Sequence, residues 1–599
     1  NFFLPDSAGA FTFTCLAACA PGQQSDFINN TANQFLFADG PPQITFVEND
    51  GAFYVQDDWK ARSNLTLTLG LRYEIGSQAI NSLHDITVQR ESNPATAFWN
   101  TSLPLSRRTI PSVPLAAKNF APIVGFAYSP NGGLFGNNAT VIRGGFRIAY
   151  DPEFYNLFTN VAGGAPFINL GQVSNCPNCL PASGIGTDVR NSDLGLIARG
   201  VDPGTRKETL VSPNLHNPYA EQWNLGLQRQ FGSRIVSEIR YVGNHGVGLF
   251  QDVNTNPALK ALIAAGYGNL IPSGFTPCTT AGAPGFASGY SNCNQTRVLS
   301  RNNVGMSYYE GLQTRLDIQA WHGVTAGVGY TFSHTIDTSS EVFNSLGGGS
   351  TLAYPQDPFN ITNGERANSG LDYPHVATVY MLYELPFFKN QSGLFGRFLG
   401  GWQVNPVYRF TSGQPYTPVE ARTLGAGTTL CDPTGTFSTA NSPCRPILAN
   451  PNAPVDTLGQ YNNSLQLVNF FTGAPISNSA VHWILNDNNA AKVLGTPFAG
   501  VARNTVRGDT INQVNLALLK DMKLTERFTV QLRGVAYNVM NRQYRGVPDP
   551  QIKHLDFANN EGSFGNTFFN SNGGNPPQAN SVFSGIDRRR IEVGAKVIF

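Results

Sequence analysis

The sequence is built from hairpins in which apolar and polar residues alternate strictly, and very short turns alternate with very long connections. In the clearest strand, Leu or Tyr occupies every second position from Leu65 to Tyr73, with Thr, Gly or Arg between them. Successive side chains of a strand point to opposite faces, so this pattern gives one apolar and one polar face. The sequence ends in the same way, with apolar residues at alternate positions from Ile591 to Phe599. The pattern predicts an antiparallel β-sheet with two unlike faces.

The same unit recurs along the chain and predicts about fourteen strands. They run approximately over Ala10–Thr14, Gly51–Lys60, Asn64–Glu74, Phe120–Ser129, Val141–Tyr150, Trp223–Phe231, Ile235–Tyr241, Leu312–Trp321, Val324–Phe332, Val376–Phe387, Trp402–Phe410, Ile511–Leu524, Phe528–Tyr537 and 588–599. Between hairpins lie long connections, at 75–118, 152–217, 247–304, 338–372, 419–508 and 545–585. Such loops are unusual in a compact soluble domain but typical of outer-membrane barrels, which have short turns on one side and long loops on the other.

The fold class predicted is therefore all-β, a transmembrane antiparallel β-barrel of the outer-membrane type with long extracellular loops. In hydrocarbon only helices and closed barrels satisfy every backbone hydrogen bond. The sequence has no stretch of the roughly 20 apolar residues that a membrane helix needs. Only 13% of its residues are charged and 11% are aromatic, which suits strands with one lipid-facing side. A soluble propeller or a chain of sandwiches also alternates in this way and remains the alternative fold.

Charge and motif content exclude several functions. The formal net charge is +1, which gives no basic footprint for a nucleic acid. The eight histidines form no pair at metal-binding spacing, and the sequence lacks a nucleophile elbow, a phosphate loop and a dinucleotide fingerprint. We predict that the chain is not an enzyme, and we assign it no catalytic residue, metal or cofactor.

The eight cysteines fall into four local couples. The couples are Cys15/Cys19, Cys176/Cys179, Cys278/Cys293 and Cys431/Cys444. Near-neighbour pairs in even number favour disulfides formed in an oxidising compartment. The Cys-x-x-Cys spacing of Cys176 and Cys179 also suits zinc, but no second ligand pair lies nearby.

Several segments resemble a known family of outer-membrane proteins. DGAFYVQDDWK (50–60) followed by NLTLTLGLRYE (64–74) looks like the paired-strand signature of TonB-dependent receptors. Further segments are similar to the same family in the same order: FAPIVGFAYSP (120–130), VIRGGF (141–146), NPYAEQWNLGL (217–227), YEGLQTR (309–315), YTFSH (330–334), GWQVN (401–405) and TSGQPY (411–416). The likeness is strongest to the Oar-like group, whose members carry a carboxypeptidase-regulatory-like domain at their N-terminus.

The resemblance implies a receptor that captures a ligand with its extracellular loops and imports it through a plugged barrel. Family members resemble a 22-stranded barrel, so residues 1–599 would be the C-terminal portion of one barrel domain. The plug, the regulatory-like domain and the segment that contacts a TonB-type energy-transducing complex are not in these 599 residues. They would precede them in a longer chain, or the plug would belong to another molecule. The terminal Phe599 resembles the signal read by the barrel assembly machinery. A passive porin, or a surface adhesion or assembly barrel, is the alternative function.

The partners expected are outer-membrane lipid, the assembly machinery, the energy-transducing complex and an unidentified small-molecule, glycan or peptide ligand. Charged residues on the polar strand faces are candidates for the lumen, where they would contact plug or solute or simply solvate the wall. The candidates are Arg72, Glu74, Arg143, Arg147, Arg315, Asp317, Arg533 and Lys596. The predicted location is a Gram-negative type of outer membrane, crossed many times.

Overall fold

The computed structural model covers the chain with several gaps. It describes residues 10–12, 31–41, 43–132, 139–152, 154–177, 199–206, 208–340, 355–418, 420–422, 432–435, 442–525, 527–542 and 589–599.

One large antiparallel sheet dominates these residues. It contains fifteen strands, of which two lie off the main path, leaving thirteen that pair in the order of the sequence. We call these thirteen strands the wall. They are Asp50–Arg62, Leu65–Gly76, Ala116–Tyr128, Thr140–Tyr150, Tyr219–Phe231, Ile235–Asn254, Val298–Trp321, Val324–Asp337, His375–Glu384, Trp402–Thr411, Ile511–Lys523, Thr529–Tyr537 and Arg590–Ile598. This sequential antiparallel order is the one that the alternating pattern predicted.

The register of the wall keeps each kind of side chain on its own face. Leu316 pairs with Val328, and the next position pairs Asp317 with Gly327. Directly paired residues of an antiparallel ladder share a face, and a slip of one residue would turn every apolar side chain to the other side. The register therefore gives the wall one apolar and one polar face.

Short turns and long connections emerge at opposite edges of the wall. At one edge, which we call the turn edge, neighbouring strands are joined by short segments such as His322-Gly323, both with positive φ. At the other edge, which we call the loop edge, the connections are 77–115, 151–218, 255–297, 338–374, 412–510 and 538–589. The asymmetry follows from the meander, because every second connection of an antiparallel path lies on the same side.

Two details differ from the sequence prediction. The strand expected at Ala10–Thr14 is present as Ala10–Thr12, but it belongs to a separate sheet with Thr31–Asp39 and Asn169–Pro177. A short alternating stretch carries no information about which strand will pair with it, so assigning it to the barrel was wrong. The connection expected at 247–304 is shorter in the structure and covers 255–297. The strand before it extends to Asn254, and the strand after it begins at Val298.

The described parts of the long connections are themselves folded. They contain the helices Asn81–Ser92, Leu105–Arg108, Tyr155–Val161, Lys260–Ala264, Ile361–Gly364 and Asn488–Leu494, and the 3-10 turns Pro203–Thr205, Gly268–Leu270 and Asn478–Ala480. They also contain the short strands Glu208–Val211, Ala367–Asn368, Pro415–Tyr416, Glu420–Arg422, Ser442–Cys444, Ile447–Leu448, Leu458–Tyr461, Leu467–Asn469, Trp483–Ile484 and Val506–Arg507. In the described part of the chain, no helix is both long and apolar enough to cross a bilayer.

Buried apolar residues join these connections to one another. One cluster packs Ile80 and Leu83 against Ile110 and Phe158, and so links the 77–115 and 151–218 connections. Another packs Tyr416 against Trp483 within the 412–510 connection. Apart from Phe250, the residues of these two clusters lie outside the wall, so the described parts of the connections at the loop edge form a folded layer, which we call the cap.

Candidate functional site

The apolar face of the wall leaves large side chains uncovered. These residues include Phe53, Val55, Leu69, Phe120, Val124, Leu225, Ile239, Leu312, Val328, Phe332, Leu518, Leu532, Ile591, Val593 and Val597. Val593 is 87% exposed and Phe53 is 70% exposed. Exposed apolar side chains that recur on most strands of one sheet face would not stay in water, so this face requires an apolar medium.

Aromatic residues lie near both edges of the apolar face. Trp59 and Trp321 lie next to the turn edge, whereas Tyr73, Tyr150 and Phe332 lie towards the loop edge. Aromatic rings at the two ends of an apolar band suit the two interfaces of a bilayer.

The register places all eight candidate lumen residues on the polar face. Arg143 is paired with Gly226, which is paired in turn with Arg240, and Arg240 is paired with Gln313. Gln313 shares its face with Arg315 and Asp317, two and four residues on. At the other end of the path, Gln531 pairs with Lys596 and Arg533 with Gly594. Arg72 and Glu74 lie opposite Ala121 and Asn119, on the face that carries Arg147. Whether this face encloses a lumen stays a prediction.

Several charged residues on the polar face form ion pairs with a residue two positions away in the same strand. Arg315 Nε donates to Asp317 Oδ2 over 2.7 Å, and Tyr380 donates to the other oxygen of Asp317 over 3.3 Å. Arg72 and Glu74 form the same kind of pair, as do Arg240 and Glu238. Such solvent-exposed pairs contribute little stability. They fix the direction of the guanidinium groups along the face.

Glu238 and Arg240 were missed by the sequence analysis. The signal was present, because Glu-Ile-Arg in the strand that begins at Ile235 repeats the spacing of Arg-Tyr-Glu at 72–74 and of Arg-Leu-Asp at 315–317. The pattern of an acid and an arginine on either side of an apolar residue would have found these three pairs and also the pair of Arg590 and Glu592.

A hollow of about 570 Å³ lies on the polar face beside these pairs. Gly125 and Gly145 form part of its floor, and Thr68, Arg147 and Asn224 line it. Arg147 Nε donates to Gln222 Oε1 over 2.5 Å at its edge. The paired glycines leave the backbone open, so the hollow offers amide, hydroxyl and guanidinium groups to a polar partner.

A buried ionic cluster ties two connections of the cap together. The fully buried Arg503 lies 2.7 Å from Asp337 and 3.4 Å from Glu365. Arg445 lies 2.7 Å from Glu365 and donates to Gln356 over 2.7 Å. Each buried charge is thus compensated, and the cluster joins the end of one wall strand to the 338–374 and 412–510 connections.

A second buried cluster joins the other side of the cap. Glu91 lies 2.8 Å from Arg90 and 3.2 Å from Arg108, and its side chain is fully buried. Arg90 also donates to the carbonyl oxygens of Pro166 and Phe167. The cluster links the 77–115 connection to the 151–218 connection, so buried charges as well as apolar contacts hold the cap.

Glu208 in the cap makes the stability of the fold depend on pH. Burial raises the pKa of Glu208 from 4.5 to about 7, and this effect outweighs the Gln295 hydrogen bond and the charge of Arg107, which lower it. Below pH 4.5 the carboxyl is protonated in both folded and unfolded chains. Between 4.5 and about 7 only the unfolded chain loses the proton, so stability falls as the pH rises, by about 3 kcal/mol in total.

We therefore expect the backbone amides of Glu208–Val211 to exchange hydrogen faster at pH 8 than at pH 5.5, after correction for intrinsic exchange. Glu208→Gln cannot ionise and should remove this dependence. Glu384→Gln, which changes an exposed carboxylate at the turn edge, is the control and should leave it intact. Equal protection of Glu208→Gln and the parent at both pH values would contradict the prediction.

The structure joins Cys278 and Cys293 in a disulfide with a Cα–Cα distance of 4.8 Å, the pairing expected for that couple. Cys444 is also disulfide-bonded. Cys15, Cys19, Cys179 and Cys431 lie outside the described residues, and only the backbone of Cys176 lies within them. Within those residues, no three His, Cys, Asp or Glu side chains are grouped closely enough to hold a metal.

Phe599 ends the strand Arg590–Ile598 at the turn edge. Its ring is 92% exposed and continues the apolar series of Val593 and Val597. Its role as an assembly signal stays a prediction.

The sequence and the structure were compared with those of known proteins. A family model described as "outer membrane beta barrel domain" matches residues 1–579. Similar solved structures include the outer membrane transporter YddB from Escherichia coli (10% identity, 83% of this chain and 42% of that one, TM-score 0.38). They also include FpvA from Pseudomonas aeruginosa, bound to heterologous pyoverdines (9% identity, 95% of this chain and 39% of that one, TM-score 0.37). A third is the ferric yersiniabactin uptake receptor FyuA from Yersinia pestis (8% identity, 86% of this chain and 42% of that one, TM-score 0.32).

The chain spans less than half the length of each of these three structures. A comparison with curated proteins gives no match. The family match extends over nearly the whole sequence and agrees with the antiparallel wall, its apolar face and its one-sided long connections. The chain belongs to the outer membrane beta barrel domain family and is a multi-pass protein of the outer membrane.

Proposed function

We propose that the chain is the barrel portion of a TonB-dependent receptor of the Oar-like group. In this proposal the cap captures a ligand outside the cell, and the ligand is imported past a plug that an inner-membrane complex displaces. The observation that carries the proposal is the folded cap at the loop edge. Its connections are held to one another by buried ionic clusters such as Arg503 with Asp337 and Glu365.

An ordered cap supports capture because a preorganised surface loses less conformational entropy when a ligand binds. The motifs from DGAFYVQDDWK (50–60) onward support the choice of family. The polar face supports a role in passage, since the hollow beside Arg147 and the pairs at Arg315 and Arg240 offer groups that a plug or a polar solute could contact.

The test is made on the full-length protein purified from its native outer membrane. Mass spectrometry of co-purified solutes should identify a ligand, and cells should accumulate that ligand only while the inner membrane is energised. An uncoupler should therefore stop accumulation without reducing binding at the cell surface. Accumulation that follows the concentration gradient and is unaffected by the uncoupler would contradict the proposal.

Electrical conductance separates this function from that of a passive porin. A barrel wide enough for 22 strands and lacking a plug would be an open aqueous channel. In a planar bilayer, we expect the full-length protein to be closed at rest. A large steady conductance without ligand would overturn the proposal in favour of a porin.

A further inference from the structure

A short helix at the turn edge carries an uncovered apolar surface. It is Gly393–Leu399, within the segment that joins the strands ending at Glu384 and beginning at Trp402. Of its side chains, Leu394 is 85% exposed, Phe395 is 81% exposed and Phe398 is 71% exposed. Phe387 and Phe388, just before the helix, are also exposed.

The helix is fixed to the apolar face of the wall. Lys520 lies on that face, since it pairs with Trp402 and alternates with Leu518, and it is only 3% exposed. Its ammonium group donates to the carbonyl oxygens of Arg397, over 2.6 Å, and of Gly400. Carbonyl groups at a helix C-terminus carry partial negative charge and suit a cation. The helix end therefore covers a lysine that would otherwise face the apolar medium.

Further bonds hold the segment against the strand Ile511–Lys523. Gln391 donates from its side-chain amide to the carbonyl oxygen of Asp521 over 2.8 Å. It also accepts from the backbone of Lys523 over 3.0 Å. Gly401 has a φ of +72°, and a Cβ there would clash with the carbonyl oxygen of Asp521. The side chains of Gln391 and Lys520 thus fix the position of the helix, while its aromatic side remains open.

The segment 387–401 has a basic charge pattern. Lys389 and Arg397 are its charged residues, and it contains no acid. A helix that combines an apolar side with basic residues is typical of elements that lie in the plane of a membrane interface. Long basic side chains can extend from such an apolar surface to the headgroup phosphates.

We propose that the segment 387–401 is an interfacial anchor, inserted into the phospholipid leaflet at the turn edge. The occupant of its exposed side is phospholipid, with Leu394, Phe395 and Phe398 at the boundary of the acyl chains and Lys389 and Arg397 beside the phosphates. Continuity with the lipid-facing side of the wall carries this choice, because Lys520 and Trp402 connect the helix to that side. The proposal does not depend on TonB-dependent transport.

Photocrosslinking in native outer membranes identifies the occupant. Phe395 is replaced by p-benzoylphenylalanine in the full-length protein, and adducts formed on irradiation are analysed by mass spectrometry. We expect phospholipid adducts at a yield comparable to that of the same replacement at Leu225 on the apolar face. The matched control is Phe471, which is 41% exposed but lies in the cap, and it should give at least fivefold fewer phospholipid adducts.

Adducts at Phe395 that are mainly with another protein, or with a second copy of the chain, would overturn the proposal. So would a folded variant that gives no phospholipid adduct. Folding is checked by gel electrophoresis, in which an unheated, folded barrel migrates at a different rate from the heated, unfolded protein. If the Phe395 replacement does not fold, Phe395→Trp in vesicles with brominated phospholipids replaces it. The added fluorescence should be quenched at least twofold more than that of Phe471→Trp, and equal quenching would contradict the proposal.

Discussion

A Val328→Arg variant should largely disappear from the folded outer-membrane fraction. Val328 lies on the apolar face, well inside the strand Val324–Asp337, with Leu316 and Val379 beside it on the neighbouring strands. Arginine on the lipid face near the middle of a bilayer costs about 2–4 kcal/mol. This corresponds to roughly a 30-fold to 1000-fold loss in the equilibrium for insertion. Quantifying the folded, heat-modifiable protein in isolated outer membranes measures the effect.

The matched control is Thr331→Arg, three residues later in the same strand and on the polar face, where Thr331 pairs with Gln313. It adds the same charge to a side that already carries Asp317 on the adjacent strand. Because water or polar groups can solvate this arginine, the change in stability should stay within about 0.5 kcal/mol. Equal losses for the two variants would mean that the faces of the wall do not differ in their surroundings.

An Arg503→Ala variant should loosen the cap while leaving the wall intact. The substitution leaves the carboxylates of Asp337 and Glu365 buried without this partner, and removing one member of a buried ion pair costs about 3–5 kcal/mol. The loss is local, because the cluster lies in the connections and at the end of one strand. Hydrogen exchange of 356–369 and 481–507 should therefore accelerate, while exchange of Ile511–Lys523 stays unchanged.

Arg533→Ala provides the comparison for Arg503→Ala. Arg533 is an exposed arginine on the polar face, paired with Gly594 on the next strand. Its removal should alter neither the exchange of the cap nor the amount of folded protein. Unchanged protection of 356–369 in Arg503→Ala would show that the buried cluster does not hold the cap.

The wall was predictable from sequence because each strand carries its own signal. A period of two residues specifies which side chains share a face, and the short turns specify which strands are neighbours. The structure accordingly contains thirteen of the fourteen predicted strands in the wall, in sequential order. The strand Ala10–Thr12 lies elsewhere because its partners, Thr31–Asp39 and Asn169–Pro177, are specified by distant contacts and by no adjacent turn.

The cap was not predictable in the same way. Its two ionic clusters make contacts between distant segments, as when Arg503 bonds to Asp337 across 166 positions and Arg90 donates to the carbonyl oxygen of Phe167 across 77. Neither Arg503 nor Asp337 stands out locally, since each lies in a segment rich in polar residues and turn formers. The helix at Gly393–Leu399 was not predicted either. It lies in a turn-edge segment between two alternating strands, and that segment was interpreted only as a connection.

The claim that one face of the wall contacts lipid is tested most directly by the lipid accessibility of successive residues along a single wall strand. A nitroxide placed at each position from Val324 to Phe332 reports collisions with oxygen, which concentrates in lipid, and with a nickel chelate, which stays in water. We predict a period of two, with even-numbered positions such as Val328 accessible to oxygen and odd-numbered positions such as Gly329 shielded from lipid. Uniform accessibility to the nickel chelate along the strand would contradict this claim, because neither face of the wall would then contact a membrane.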